Sequence, residues 1–154
     1  MKTINISQNK VVMVDDCDYE RLSKFKWFAI KGRHTYYAVR NEKGKSVLMH
    51  REIPGLTDRK VLSDHFNGNG LDNQRRNLRK CSNRQNLMNS VSRGGSSKHK
   101  GVVLDKRTGK WKCQIRVEGR LLHLGCFVDE TEAAIKYNVA AMTHFKEYAR
   151  LNVV

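Results

Sequence analysis

Eight consecutive residues restrict the fold of this chain more than any others. Lys110-Trp111-Lys112-Cys113-Gln114-Ile115-Arg116-Val117 alternates without a break. On a strand, Trp111, Cys113, Ile115 and Val117 share one face, and Lys110, Lys112, Gln114 and Arg116 share the other. Such a strand needs pairing partners and a cover for its apolar side. Gly101-Val102-Val103-Leu104 before it is strand-like, and Arg107-Thr108-Gly109 marks a turn. After it, Glu118-Gly119 turns into Arg120-Leu121-Leu122-His123-Leu124. Three antiparallel strands follow. Asp129 and Glu132 have capping-box spacing and predict a helix from about Glu130 to Tyr148. Ala133, Ala134, Tyr137, Ala140, Ala141 and Phe145 recur at helical spacing and supply the cover.

The charge narrows the partners. Among 154 residues, 30 are Lys or Arg and 15 are Asp or Glu, a formal charge of +15. An excess of this size on a small chain points to a polyanion, and nucleic acid gains most from it through counterion release. No apolar run is long enough to span a membrane, and the N-terminus lacks the apolar core of a signal peptide. Cys17, Cys81, Cys113 and Cys126 lie far apart with no CxxC pair. That argues against a zinc ribbon and a disulfide framework, and for reduced intracellular thiols.

Three segments are predicted. Residues 1–49 read as β-rich: Ile4 and Ile6 alternate, and Val11–Val14, Tyr36–Val39 and Val47–Met49 are strand-like. Asp18 is placed to cap a short helix carrying Leu22 and Phe25, and Asn41–Lys45 is a turn. Trp27, Phe28, Tyr36 and Tyr37 are read as core and sheet packing, with base stacking as the alternative. The middle segment runs from about His50 to Ser90 and the last from about Ser97 onward. Between them a Gly/Ser-rich basic stretch predicts a flexible tether over 91–98.

The middle segment carries the chemistry. Val61-Leu62 runs into Asp64-His65, followed by a loop rich in Asn and Gly. Leu78–Cys81 makes a second strand, and Ser82 with Gln85 opens a helix bearing Asn86. This strand–loop–strand–helix unit is expected to bring Asp64, His65 and Asn86 together. Asp64 and the Asn86 amide oxygen are hard donors suited to Mg²⁺. His65 is the natural base for an attacking water, and Asn77 pins the loop backbone. The alternative is an ordinary surface pair beside an ordinary loop.

Asp64-His65, the Asn/Gly loop ending in Asn77-Leu78-Arg79, and the helix with Asn86 resemble the HNH (ββα-metal) nucleases, especially the phage and intron homing type. The resemblance covers about His50 to Asn89. It implies His65 as general base, Asn77 as loop support, and Asp64 and Asn86 as ligands of one Mg²⁺ or Mn²⁺ per active site. It also implies products with 5′-phosphate and 3′-hydroxyl ends. An amide in the last ligand position disfavours tightly held Zn²⁺. His50 and Arg51 are candidate contacts to the scissile phosphate region, against a strand-end pair outside the site. His34, His99 and His144 are read as surface or packing residues.

Lys100-Gly101-Val102, Gly109-Lys110-Trp111, Leu124-Gly125-Cys126-Phe127 and Leu151-Asn152 resemble the Apetala-two (ethylene-response-factor type) DNA-binding domain, from about Ser97 onward. That family lays its outer sheet face in the major groove. The resemblance implies Lys100, Lys112, Gln114, Arg116 and His123 as DNA contacts, with Arg120 nearby. Lys110 joins them on the polar strand face, and Arg93 and Lys98 follow the backbone from the tether. Val103 and Leu121 stand where the plant family often has Arg, so base specificity does not transfer.

The expectation is therefore an α+β chain. A β-rich N-terminal region merges with a ββα-metal nuclease unit over 1–90 (core about 50–90), and a basic linker spans 91–98. A three-stranded sheet packed on one helix fills 99–154. The expected activity is metal-dependent hydrolysis of a phosphodiester in double-stranded DNA. The alternatives are a non-catalytic sequence-specific DNA-binding regulator, or RNA binding on charge alone. The expected setting is the reducing cytoplasm of a bacterium or phage-infected host. A monomer is expected, with neither membrane nor small-molecule substrate.

Overall fold

The computed structural model describes residues 1–58 and 60–154. It is mixed α and β, with antiparallel sheets, and divides into two compact units, 1–86 and 87–154. The α+β expectation is met.

In the first unit, β1 (Lys2–Ile6) and β2 (Lys10–Val14) form a hairpin with Ile4 opposite Val12. Helix α1 spans Asp16–Leu22. β3 (Phe28–Lys31), β4 (Tyr36–Glu42) and β5 (Lys45–Leu48) form an antiparallel sheet in that order. The β4–β5 turn is Lys43-Gly44, both at positive φ, in the expected place. A tight two-residue hairpin needs that backbone, which glycine takes without strain. A single helical turn, α2 (Met49–Glu52), follows, then β6 (Leu62–His65), a 3₁₀ turn at Arg75–Asn77, β7 (Leu78–Cys81) and α3 (Asn83–Met88), whose last two residues belong to the second unit. The core is built from Ile4, Ile6, Val12, Val14, Leu22, Trp27, Ala29, Ala38, Met49 and Ile53. Met49 therefore packs from a helical turn, not a strand.

The expected role of Asp18 needs correction. Asp15 holds the N-cap position of α1, while Asp18 lies inside the helix, 2% exposed. Its carboxylate accepts from Arg75 Nε and Nη2 at 2.7 and 2.9 Å and from Arg21 Nη2 at 3.2 Å. A buried carboxylate needs such partners, and these guanidinium groups hold its pKa below the ordinary carboxylate value, Arg75 most strongly. Phe25 falls beyond the end of α1 and is 39% exposed.

The second unit contains β8 (Val102–Asp105), β9 (Lys110–Val117) and β10 (Arg120–Phe127), ordered β10-β9-β8, then α4 (Glu130–Phe145). Cys113 and Ile115 of β9 are buried with Val102 against Ala133, Ala134, Tyr137, Ala141 and Phe145, as the alternation predicts. Asp129 caps α4 by accepting from the Glu132 N–H at 2.9 Å. The α-helix ends at Phe145, short of the expected Tyr148; Lys146 takes a positive φ and a 3₁₀ turn follows. Gly101 sits at φ +77°, where a Cβ would come within 2.2 Å of the Tyr137 ring and 2.5 Å of the Gln114 carbonyl oxygen. Asn152 ties the segment before β8 to α4. Its side chain pairs with both backbone polar groups of Lys100, and its backbone pairs with the Asn138 amide.

The expected tether over 91–98 is not loose throughout. Ser96 Oγ accepts from the Leu104 N–H, and Ser97, which is buried, donates to Glu130 at 2.7 Å. His99 is also buried, in keeping with a packing role. No helix among the described residues is long and apolar enough to cross a membrane.

Candidate functional site

Two surfaces carry the residues of interest, one in each unit.

In the first unit, β6 and β7 pair antiparallel with Asp64 opposite Arg79 and His65 opposite Leu78. The loop between them is fixed by its asparagines. Asn77 is 6% exposed; its Oδ1 accepts from the Asn67 N–H at 3.0 Å. Its Nδ2 donates to Asn67 Oδ1 at 3.0 Å and to the Asp72 carbonyl at 2.8 Å. Asn77 thus ties the loop together through three side-chain hydrogen bonds. The loop is further anchored by backbone bonds between Met13 and residues 71 and 73, and by the Gly70 N–H to Thr35 Oγ1. Gly70 is required there, because a Cβ would lie 2.4 Å from the Tyr36 carbonyl oxygen.

His65 is buried, and its Nε2 lies 3.3 Å from Oδ1 of Asn73, itself fully buried. With Asn73 presenting its oxygen, a neutral His65 carries its proton on Nε2 and its lone pair on Nδ1. Burial pushes the His65 pKa down, opposed by the Asn73 hydrogen bond and the charges of Asp64 and Asp72. The imidazole is therefore neutral near pH 7, the form a base requires. His50 packs edge-on against His65 at 5.0 Å between ring centroids, and Tyr37 lies 5.3 Å from His50 and 5.9 Å from His65. Burial, with His65 and Arg51 adding to it, pushes the His50 pKa down to about 3. Its Nδ1 is buried with no hydrogen-bond partner among the described residues. Burial and the Asp64 carboxylate raise the Tyr37 pKa.

Asp64 Oδ2 accepts from Arg79 Nε and Nη2 at 3.0 and 2.8 Å. Ser82 and Gln85 form the expected reciprocal capping box at the start of α3. Asn86, on that helix, is exposed, and none of the helix's residues is buried. No hydrogen bond joins the Asn86 side chain to Asp64 or His65 among the described residues. The structure thus pairs His65 with Asn73, Asp64 with Arg79 and Asn77 with Asn67 and Asp72, and it does not bring Asn86 to Asp64 or His65 as expected. Among the described residues there is also no cluster of three or more His, Cys, Asp or Glu side chains fit for a metal. Asp64, a single Arg-paired carboxylate, suits a weakly held, largely hydrated hard cation, not a tight protein cage.

Two further expectations change. Arg51 is not presented to a phosphate: its Nη1 and Nη2 donate to the carbonyls of Val61 and Asp58 and close the segment before β6. His50 is an interior neighbour of His65, not an outward contact. Sequence reasoning missed Asn73, Tyr37 and Arg79. Arg79 lies in the Asn77-Leu78-Arg79 run that carries the resemblance, and nothing in the sequence distinguishes Asn73 from the loop's other asparagines.

In the second unit, the outer face of the sheet presents Lys110, Lys112 and Arg116 exposed and Gln114 half-buried, with His123 and Arg120 exposed on β10. His123 lies directly opposite Gln114 and Cys126 opposite Lys112. Cys126 Sγ is 3.7 Å from His123 Nε2, and Arg116 Nη1 donates to the Gly119 carbonyl at 2.9 Å. Arg93 and Lys98 are exposed in the preceding segment. Lys100 does not belong to this face. Its ammonium donates to the carbonyls of Leu87, Met88 and Ser90 at 3.2, 2.7 and 2.7 Å, which occupies all three of its protons.

A 62-residue stretch of the chain is 42% identical to an AP2-like ethylene-responsive transcription factor of Arabidopsis thaliana. The likeness is partial. It covers 39% of this chain and only 17% of that protein. No family model and no solved structure matches the chain.

Proposed function

We propose that this chain binds double-stranded DNA through the outer face of the β8–β10 sheet, as a DNA-binding regulator does. The observation that carries this reading is the sidedness of β9. Cys113 and Ile115 are buried under α4 with Trp111 and Val117 partly buried beside them, while Lys110, Lys112, Gln114 and Arg116 all face away from that core. Such a face offers point charges and a guanidinium to phosphates, and an amide to base edges. The charge of +15 and the partial likeness to a plant transcription factor support it. Fluorescence anisotropy of a labelled duplex tests it. Wild type should bind duplex DNA in preference to RNA of equal length, and Lys112→Ala/Arg116→Ala should weaken binding. Equal binding by the double variant would refute the assignment of this face.

A second reading is favoured by the loop geometry of the first unit alone. His65 stands buried, held by Asn73, at the end of a strand whose neighbouring Asp64 is a hard oxygen donor, above a loop locked by Asn77. This arrangement suits hydrolysis of a phosphodiester. His65 takes a proton from water as the water oxygen bonds to phosphorus, the phosphorus–O3′ bond breaks, and the departing O3′ takes a proton from solvent, leaving a 3′-hydroxyl and a 5′-phosphate. Asp64 would be the protein donor to one largely hydrated Mg²⁺ or Mn²⁺, which would supply charge neutralisation at the phosphate and the leaving oxygen. Plasmid nicking with Mg²⁺ and with EDTA tests this reading. Metal-dependent nicks that vanish in His65→Ala, with duplex binding retained, support it. A lack of product under every divalent cation leaves the regulator.

A further inference from the structure

The outer face of the β8–β10 sheet is not uniformly polar. Residues directly opposite each other on antiparallel strands share a face. The register therefore sets out rows across the sheet: Val103, Lys112 and Cys126 at one end, Gln114 and His123 in the middle, Arg116 and Leu121 at the other. Val103 is 45% exposed and Leu121 51%. They are not displaced core residues, because the core is covered from the opposite face by Val102, Cys113 and Ile115. Each stands on an edge strand beside a cation, at diagonal corners of the patch.

Resting on the reading that this face docks on duplex DNA, we propose that Val103 and Leu121 pack against thymine C5-methyl groups. They thereby select T·A pairs at two positions about five base pairs apart. The major groove offers polar edges everywhere except at the thymine methyl. An isopropyl or isobutyl group pressed on a G·C edge would bury donors and acceptors without partners, which is unfavourable. Four residues along β9 separate the two rows, roughly 13 Å at about 3.3 Å per residue, and two strand spacings of about 4.8 Å separate the edges. The diagonal is roughly 16 Å, about five steps of 3.4 Å along a DNA strand. Gln114 and His123 lie between, over the intervening pairs. Lys112 and Arg116, beside the two apolar residues, are placed for the adjoining phosphates.

The test uses the full chain in EDTA, so that strand scission does not intervene. A randomised duplex library is selected for binding, and each thymine of the enriched duplex is then replaced singly by deoxyuridine, which removes only the methyl group. Two replacements about five base pairs apart should each weaken binding about fourfold, the loss expected for one buried methyl. Leu121→Ala should erase the sensitivity at one position and Val103→Ala at the other. Both side chains are about half exposed, so the fold does not depend on them. Lys112→Ala should weaken thymine and deoxyuridine duplexes alike. Deoxyuridine that is silent everywhere, or a sensitivity that persists in both alanine variants, overturns the inference while duplex binding stands. A chain that enriches no duplex overturns the docking reading and the inference with it.

Discussion

Replacing Asn77 with Ala tests the architecture of the 66–77 loop through a measurable magnitude. The substitution removes the three side-chain hydrogen bonds to Asn67 and Asp72. Each contributes about 1 kcal/mol net, and the buried Asp72 carbonyl loses its donor, whereas the exposed Asn67 groups regain water. The expected cost to the first unit is about 2–3 kcal/mol. At a urea slope of about 1 kcal/mol/M this moves the unfolding midpoint down by roughly 2–3 M. The two tryptophans report separately: Trp27 is buried in the core of the first unit and Trp111 packs on that of the second. With Trp111→Phe as background, Trp27 fluorescence follows the first unit. With Trp27→Phe as background, Trp111 fluorescence follows the second unit and serves as the internal control. A midpoint shift below about 0.5 M would refute the claim that Asn77 locks the loop. So would an equal shift of both transitions.

Other perturbations give expectations of different kinds. Asp18→Asn should destabilise the first unit by about 1–3 kcal/mol at pH 7, the scale of charge-assisted hydrogen bonds lost to Arg75 and Arg21. Because the folded carboxyl pKa is depressed, this stability is present above the unfolded value of about 3.9 and is lost as pH falls through the folded value. The gap between wild type and variant in urea midpoint should therefore narrow below pH 4; a gap constant from pH 7 to pH 3 would contradict the pairing. Gly101→Ala should destabilise the second unit by about 2 kcal/mol or more, from positive-φ strain plus the clash with Tyr137 and Gln114, read as an earlier thermal transition of that unit.

The legible parts of this fold were those written in local patterns. The period of two over Lys110–Val117 and the helical spacing after Asp129 lie in adjacent residues, and they gave the sheet, its buried face and its cover. Ser82 with Gln85 marked the start of α3 because a capping box is a three-residue device. The Asp18 pairing was not legible. Arg75 is 57 positions away, and Asp18 beside an apolar run looks the same whether it caps a helix or lies inside it. The histidine's holder was hidden differently. Asn67, Asn69, Asn73 and Asn77 are chemically identical, and only the path of the loop decides that Asn77 binds backbone while Asn73 meets His65. Lys100 was misplaced for a similar reason. Composition counts its charge, but only the folded chain shows three carbonyl oxygens around its ammonium.

The most direct test of the account is the salt dependence of duplex binding by the full chain, compared with Lys112→Ala/Arg116→Ala. Each phosphate neutralised adds about 0.9 to the slope of log affinity against log salt concentration. If the outer face of the β8–β10 sheet is the docking surface, the double variant should bind more weakly and its slope should be shallower by roughly 1.8. An unchanged slope with unchanged affinity would show that the DNA lies elsewhere on the chain and would contradict the central claim.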